Sequence, residues 1–222
     1  MRHGNNKVLM NALALILTCL CISACNGGGA SDTGAGSRQP AGTAMAGATD
    51  KIDKIKIKNA SGETVAVLKA KHYGFKVLDG DGADLGKIKR DGDRLKVKIG
   101  GETRFKVKPK GEKSFKLSDS DGNTVVAVKW QDGKWKIKDG AGSAIAAIKR
   151  KSSSWAAYDA TGGLIGKVKT RDAKSKIVDA SGETLFSVSD TATAAGAALL
   201  AVSNIPIIQR CALYLYFREH HW

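Results

Sequence analysis

The chain has 222 residues, with 36 lysines and arginines against 21 acids, and a formal charge of +15. A basic excess of that size points to anionic partners: phosphate-bearing lipids, lipopolysaccharide, wall polymers or extracellular DNA. Three of the four cysteines sit in or beside an N-terminal leader, so Cys211 stands alone in the remainder, which excludes a disulfide scaffold and leaves the fold dependent on its core.

The leader comes first in chain order. Arg2, His3 and Lys7 form a basic n-region, residues 8–22 form a short apolar h-region, and Ser23 and Ala24 supply small residues before Cys25. That layout reads as a secretory signal over residues 1–24, with an apolar run too short for a comfortable transmembrane helix. The run Ile22-Ser23-Ala24-Cys25 resembles the bacterial lipobox, departing from it in having Ile22 where leucine is commoner. The resemblance implies cleavage before Cys25 and acylation of that cysteine, palmitate included. Residues 25–50 are then a tether of Gly, Ala, Ser and Thr with almost no charge, unable to bury enough surface to fold. A lipid-anchored cysteine followed by such a tether resembles the layout of a bacterial envelope lipoprotein. Asn26 rather than aspartate after the cysteine implies the outer membrane by the enteric sorting rule, with the periplasmic or surface face left open. Loss of Arg2 and Lys7 takes the charge to +13.

From residue 51 to 190 one phrase of about twenty residues recurs seven times: a lysine-rich apolar strand, an Asp-x-x-Gly turn, and a second strand ending in lysine. The turns begin at Asn59, Asp79, Asp119, Asp139, Asp159 and Asp179. The slot near residue 100 holds Gly100-Gly101, one residue short, with the register recovering across residues 108–112. In the first strands Ile55, Ile57, Phe75, Val77, Leu95, Val97, Phe115, Leu117, Trp135 and Ile137 alternate with lysines. In the second strands Ala66, Leu68, Gly86, Ile88, Val126, Val128, Ala146, Ile148, Gly166 and Val168 do the same with smaller residues. Period-two alternation predicts antiparallel strands with one face in a core and a lysine face in water. Asp caps the turn and Gly takes its left-handed position. Thirteen or fourteen such strands must curl or close.

Residues 191–218 lose the repeat and almost all charge, and read as an apolar helix, or as two helices broken at Pro206. A membrane span is the competing reading, but Asn204, Pro206, Gln209 and Arg210 fall near its middle, which favours a helix buried in the barrel. The fold class expected is therefore mainly β: an antiparallel hairpin-repeat barrel of 12–14 strands around an apolar C-terminal helix, a single domain over 51–218. Strand alternation, Asp-x-x-Gly hairpins and an Ala/Leu-rich terminal helix with an Asn204-Ile205-Pro206 break resemble tubby-like C-terminal domains, with their LURP-one-related and scramblase relatives. That resemblance is architectural and carries no binding residues across. It implies a lipid-binding or lipid-handling protein as the alternative function. An open array of wall-binding hairpins would expose its aromatics, whereas Phe75, Phe115, Trp135 and Trp155 fall on the inward phase. Trp130 is placed outside that phase, as the one exposed aromatic.

Enzymatic and metal chemistry finds no support in the residues. His72 is a loop residue beside Tyr73, and the adjacent pair His220-His221 has no spaced partners for a metal. Asp79-Gly80-Asp81-Gly82 and Asp119-Ser120-Asp121-Gly122 lack the length and terminal Glu of a calcium loop. No turn is followed by the Gly-Lys-Ser/Thr of a phosphate loop, and no serine has a plausible base. No catalytic residue, metal, cofactor or small-molecule substrate is expected. Nucleic acid lacks the interleaved aromatic platform it would need. What remains is the lysine exterior, solvated or anion-binding, led by Lys56, Lys58, Lys96, Lys98, Lys106, Lys108, Lys136 and Lys138. The function expected is a non-enzymatic, membrane-anchored envelope lipoprotein that binds an anionic envelope component.

Overall fold

Two kinds of turn alternate along the repeat and place every strand. The computed structural model describes residues 53–220 and 222. Cys25 and the lipobox residues Ile22, Ser23 and Ala24 lie outside the described residues, as does His221. At the Asp-x-x-Gly turns the leading side chain does the capping: Asp79 Oδ1 accepts from the backbone N–H of Asp81 at 3.0 Å and Ala83 at 2.8 Å. Asp159 repeats this with Thr161 and Gly163. Glycine closes each turn in the left-handed region, as at Gly82 with φ +91° and Gly162 with φ +92°. The connections at the other end of the barrel are two-residue hairpins such as Asp132-Gly133, with φ +54° and +71°. The short slot at residue 100 is a two-residue turn too, Gly100 and Gly101 both having positive φ. The register is made up by an irregularity between Pro109 and Gly111.

These turns join β1 (Lys54–Lys58), β2 (Thr64–Lys71), β3 (Gly74–Leu78), β4 (Asp84–Asp91), β5 (Arg94–Ile99), β6 (Glu102–Gly111) and β7 (Ser114–Asp119). They continue through β8 (Thr124–Gln131), β9 (Lys134–Asp139), β10 (Ala144–Lys151), β11 (Ser154–Asp159), β12 (Leu164–Arg171), β13 (Lys174–Val178) and β14 (Thr184–Val188). Each strand pairs antiparallel with its neighbour in sequence, and β14 returns to β1, so the meander closes into a barrel without edges. The closing seam is short: Ile57 lies opposite Val188, Lys58 opposite Ser187, and Ser189 exchanges hydrogen bonds with the Lys56 backbone.

One of the two-residue turns uses the wrong residue for its shape. Ala173 follows Asp172 in the β12–β13 turn, and both have positive φ, +50° and +58°. A non-glycine residue in that region is strained by about 1–2 kcal/mol. Ala173→Gly is expected to stabilise the domain by about 1 kcal/mol and raise Tm by roughly 3 °C in a calorimetric melt.

The inward phase is the one the alternation predicts, from Ile55 and Ile57 through Leu95, Val97, Leu117 and Ile137 to Val188, all essentially inaccessible. Trp130 is the exception to the sequence reading. β8 runs on to Gln131 before its tight turn, so position 130 stays in phase with Val126 and Val128 and lies opposite the buried Trp135, ring centroids 5.3 Å apart.

Inside the barrel sit two helices rather than one, α1 (Ala194–Leu200) and α2 (Ile207–Glu219), with Pro206 as the residue before the second. Thr193 caps α1 by accepting from the Gly196 N–H at 3.0 Å, and its hydroxyl donates to the Trp222 carbonyl at 2.6 Å. The Arg210 guanidinium donates to the Leu200 carbonyl at the end of α1 and lies over the Phe186 ring. The small residues have a packing reason. α1 packs on α2 and on β10–β13, whose inward positions include Ala146, Ala157, Gly166 and Ser175. A Cβ on Gly196 would come within 3.1 Å of Phe217 Cβ. A Cβ on Gly86 would meet the Lys98 carbonyl at 2.3 Å and Ile208 at 2.9 Å. The core side chains among the described residues come from the strands, the two helices and the link between those helices, and this part of the chain clusters as one compact unit.

Candidate anion-binding face

Hairpin register decides which lysines meet. A two-residue turn at His72-Tyr73 puts Lys69 opposite Lys76, and a second at Gly92-Asp93 puts Lys87 opposite Lys98 and Lys89 opposite Lys96. The Asp-x-x-Gly hairpins place Lys54 opposite Lys69 and Lys76 opposite Lys87. The result is an unbroken rung of five lysines, Lys54, Lys69, Lys76, Lys87 and Lys98, crossing β1 to β5 at right angles to the strands. A second rung, Lys89, Lys96 and Lys106, runs beside it across β4 to β6.

The opposite half of the barrel breaks its rungs. Ala127 separates Lys116 from Lys138, Ala147 separates Lys136 from Tyr158, and Ala156 separates Lys149 from Lys167. The basic exterior is therefore two-sided: dense over β1–β6 and diluted over β8–β12.

The eight lysines singled out by sequence fall in three places. Lys96, Lys98 and Lys106 belong to the dense face, with Lys108 directly opposite Lys116 at its border. Lys56 and Lys58 line a recess of about 440 Å³ at the closing seam, with Lys174 and Ser187. Lys136 and Lys138 stand on β9 in the diluted half, where Lys136 is paired with Asp132 at 2.8 Å. The residues missed were Lys54, Lys69, Lys76, Lys87 and Lys89, which the hairpin register aligns.

Acids neutralise only part of the dense face. Asp84 lies 3.3 Å from Lys76, and Asp91 lies 2.9 Å from Lys96, which holds the Asp91 carboxyl below its usual range. Lys69, Lys87, Lys89, Lys98 and Lys106 have no ion pair among the described residues. Like charges directly opposite in a sheet destabilise it. Exposed ammonium groups on long stems spread apart and are screened over about 8 Å at physiological salt. The repulsion is thus tolerable yet measurable. Lys87→Gln is expected to raise Tm slightly in low salt, the wild-type barrel gaining more than the variant as sodium chloride is added; equal salt responses would contradict the repulsion.

No family model and no curated protein matches this chain. Among solved structures it is similar to a protein from Arabidopsis thaliana determined by X-ray diffraction. That likeness has 15% identity over 61% of this chain and 78% of that one, with a TM-score of 0.36.

The turn acids have structural partners. The turn carboxylates of Asp119, Asp159 and Asp179 are held below their usual range, first by side-chain hydrogen bonds from Asn123, Thr161 and Ser181 and then by backbone N–H groups. Among the described residues no group of three or more His, Cys, Asp or Glu side chains is placed to hold a metal ion. His72 stands at the β2–β3 turn against Tyr73, and His220 stacks on Tyr216. Cys211 is fully buried, and burial pushes its thiol up to about 12. No helix among the described residues is long and apolar enough to cross a membrane.

Proposed function

We propose that this protein is a non-enzymatic lipoprotein of the bacterial envelope, anchored to the outer membrane through acylated Cys25, whose lysine face binds an anionic envelope component. The observation that carries the binding half is the pair of lysine rungs. A fold that repeats lysine opposite lysine across six neighbouring strands, while the far half interrupts its own lysine rows with alanines, concentrates positive charge on one face. Lysine rather than arginine makes it a field of point charges, suited to anions of varied geometry. The leader, lipobox and tether motivate the anchoring half, and the hairpin barrel around apolar helices motivates a tubby-like relationship. Complete burial of Cys211–Phe217 inside the barrel supports binding over lipid handling, which would require that helix to leave.

Two measurements test the two halves. Labelled palmitate is expected to enter the wild-type protein in cells and not Cys25→Ser; an unacylated, soluble wild type would end the anchoring proposal. Residues 26–222, which contain the compact unit and lack the acylated cysteine, are expected to sediment with protease-treated envelopes in low salt and to be released as sodium chloride rises from about 50 to about 500 mM. Binding that ignores salt, or no binding, would remove the lysine face from the function.

A further inference from the structure

The two lysine rungs flank a groove, and its shape selects among anions. Position 74 would belong to the second rung, opposite Lys89, but it is glycine. It must be: φ is +146°, and a Cβ would lie 2.0 Å from the Ile88 carbonyl. The missing side chain leaves a recess of about 370 Å³ between β3 and β4, walled by Lys71, Lys76, Lys87 and Lys89. On the far side of β4, a recess of about 410 Å³ is lined by Lys87, Lys89, Lys98 and Gly100. The two share Lys87, Lys89 and Asp84, so they adjoin across three strands. Asp84 is already engaged, one oxygen by Lys76 and the other by the Gly86 N–H at 2.8 Å. At the β3 end stands Tyr73, 70% exposed, a large apolar side chain left in solvent at the hairpin tip and braced edge-on by His72.

We infer that this groove binds a linear anionic glycan laid across the strands, its charged groups on the lysine rungs and a sugar ring against Tyr73. The inference rests on the anion-binding reading above and narrows it to one ligand class. Curvature argues against a bilayer as the occupant. The five-lysine rung covers four of the fourteen inter-strand steps of a closed barrel, more than a quarter of its circumference. At about 4.8 Å per step it runs roughly 19 Å around that curve. A flat membrane touches only the crest of such a surface, whereas a flexible polymer follows it. Recesses between the lysines would also stay empty under a planar headgroup layer. The exposed aromatic at one end of the groove argues for a polymer with rings over a bare chain of phosphates, and a single such aromatic falls short of the repeated stacking platforms of single-stranded nucleic acid sites.

The test uses residues 26–222 with heparin as the linear sulfated glycan, inorganic polyphosphate as the ringless polyanion, and phosphatidylglycerol vesicles as the bilayer, all at one salt concentration. A front variant carries Lys69→Gln, Lys87→Gln, Lys89→Gln and Lys98→Gln. A rear variant removes the same charge through Lys129→Gln, Lys149→Gln, Lys167→Gln and Lys176→Gln. The expected result is heparin binding that falls at least tenfold in the front variant and less than threefold in the rear variant. Tyr73→Ser is expected to weaken heparin binding about threefold and leave polyphosphate unchanged. Equal losses front and rear would overturn the groove while leaving a diffuse anion-binding exterior. Tighter binding to vesicles than to heparin, or a Tyr73→Ser variant that binds heparin like the wild type, would overturn the glycan assignment and leave the lysine face intact. A wild type that binds none of the three probes would end this inference and the anion-binding reading together.

Discussion

Replacing Asp190 with alanine is expected to destabilise the barrel by about 3–5 kcal/mol, more than any single lysine substitution on its exterior. Asp190 follows the last strand and is 4% exposed, yet it is an acid. Its carboxylate accepts from the Tyr214 hydroxyl and from Arg218 Nε at 2.8 Å, and its other oxygen accepts from the Ala192 N–H at 3.0 Å. Its carbonyl accepts from the buried Ser175 hydroxyl at 3.0 Å. One residue thus ties β13, the entry to α1 and the last two turns of α2 together. Alanine would leave the Tyr214 hydroxyl and the Arg218 guanidinium without their partner in a poorly solvated place, which is the costly way to break a buried pair. A double-mutant cycle with Arg218→Ala, read by urea denaturation, is expected to show coupling of more than about 1 kcal/mol. Additive effects would reduce Asp190 to a turn residue.

The same region makes the fold sensitive to alkali. Burial, and then the neighbouring Asp190 charge, push the Tyr214 hydroxyl well above its ordinary value, and burial pushes Tyr216 and Cys211 up to about 12 each. All three are protonated in the folded state and titrate in the unfolded chain near pH 8.5 for cysteine and 10 for tyrosine, in round figures about those values. Their contribution is therefore fully present below those pH values and is lost as pH rises toward the folded-state values. Melts are expected to be level to about pH 8.5 and to fall progressively above it, with a shallower fall in Tyr216→Phe, whose hydroxyl has no hydrogen-bond partner to lose.

Local chemistry made the barrel readable, and long-range geometry hid the site. Strand, turn and inward phase follow from period-two alternation and from Asp and Gly at fixed offsets, which act within a few residues of themselves. Ile55 and Val168 could be assigned to the core for that reason. Trp130 was misplaced because its facing depends on how far β8 extends before turning, a property of the Asp132-Gly133 turn and not of Trp130. The lysine rungs required one further step: the two-residue turns pair Lys69 with Lys76 and Lys87 with Lys98, and the register of the Asp-x-x-Gly hairpins then joins Lys54 to Lys69 and Lys76 to Lys87. Listing lysines strand by strand conceals that, and it also conceals the alanines that dilute the other half. The Asp190 network carried no pattern, since its partners lie 24 and 28 residues away and meet only because the helices turn back into the barrel.

Removing the helices is expected to abolish the fold. A chain ending at residue 190 keeps all fourteen strands and loses what they enclose. Leu213, Tyr214, Leu215, Tyr216 and Phe217 are each fully buried, and each such side chain contributes about 1.5–3 kcal/mol on burial. Five of them reach roughly 7–15 kcal/mol, the whole net stability of an ordinary domain. The truncated chain is expected to lose its near-ultraviolet circular dichroism and its cooperative melt; a folded, cooperative truncation would mean that the strands close without a filling. The same magnitudes bear on lipid handling. For α2 to enter a bilayer it would have to leave the barrel, and leaving is nearly equivalent to unfolding. In the intact protein its amides are therefore expected to exchange with deuterium only through global opening, at rates unchanged by anionic vesicles, while those of the short β1–β14 seam exchange sooner. Faster exchange in α2 on adding vesicles would show the helix to be releasable and would move the function from a surface that binds to a core that comes out.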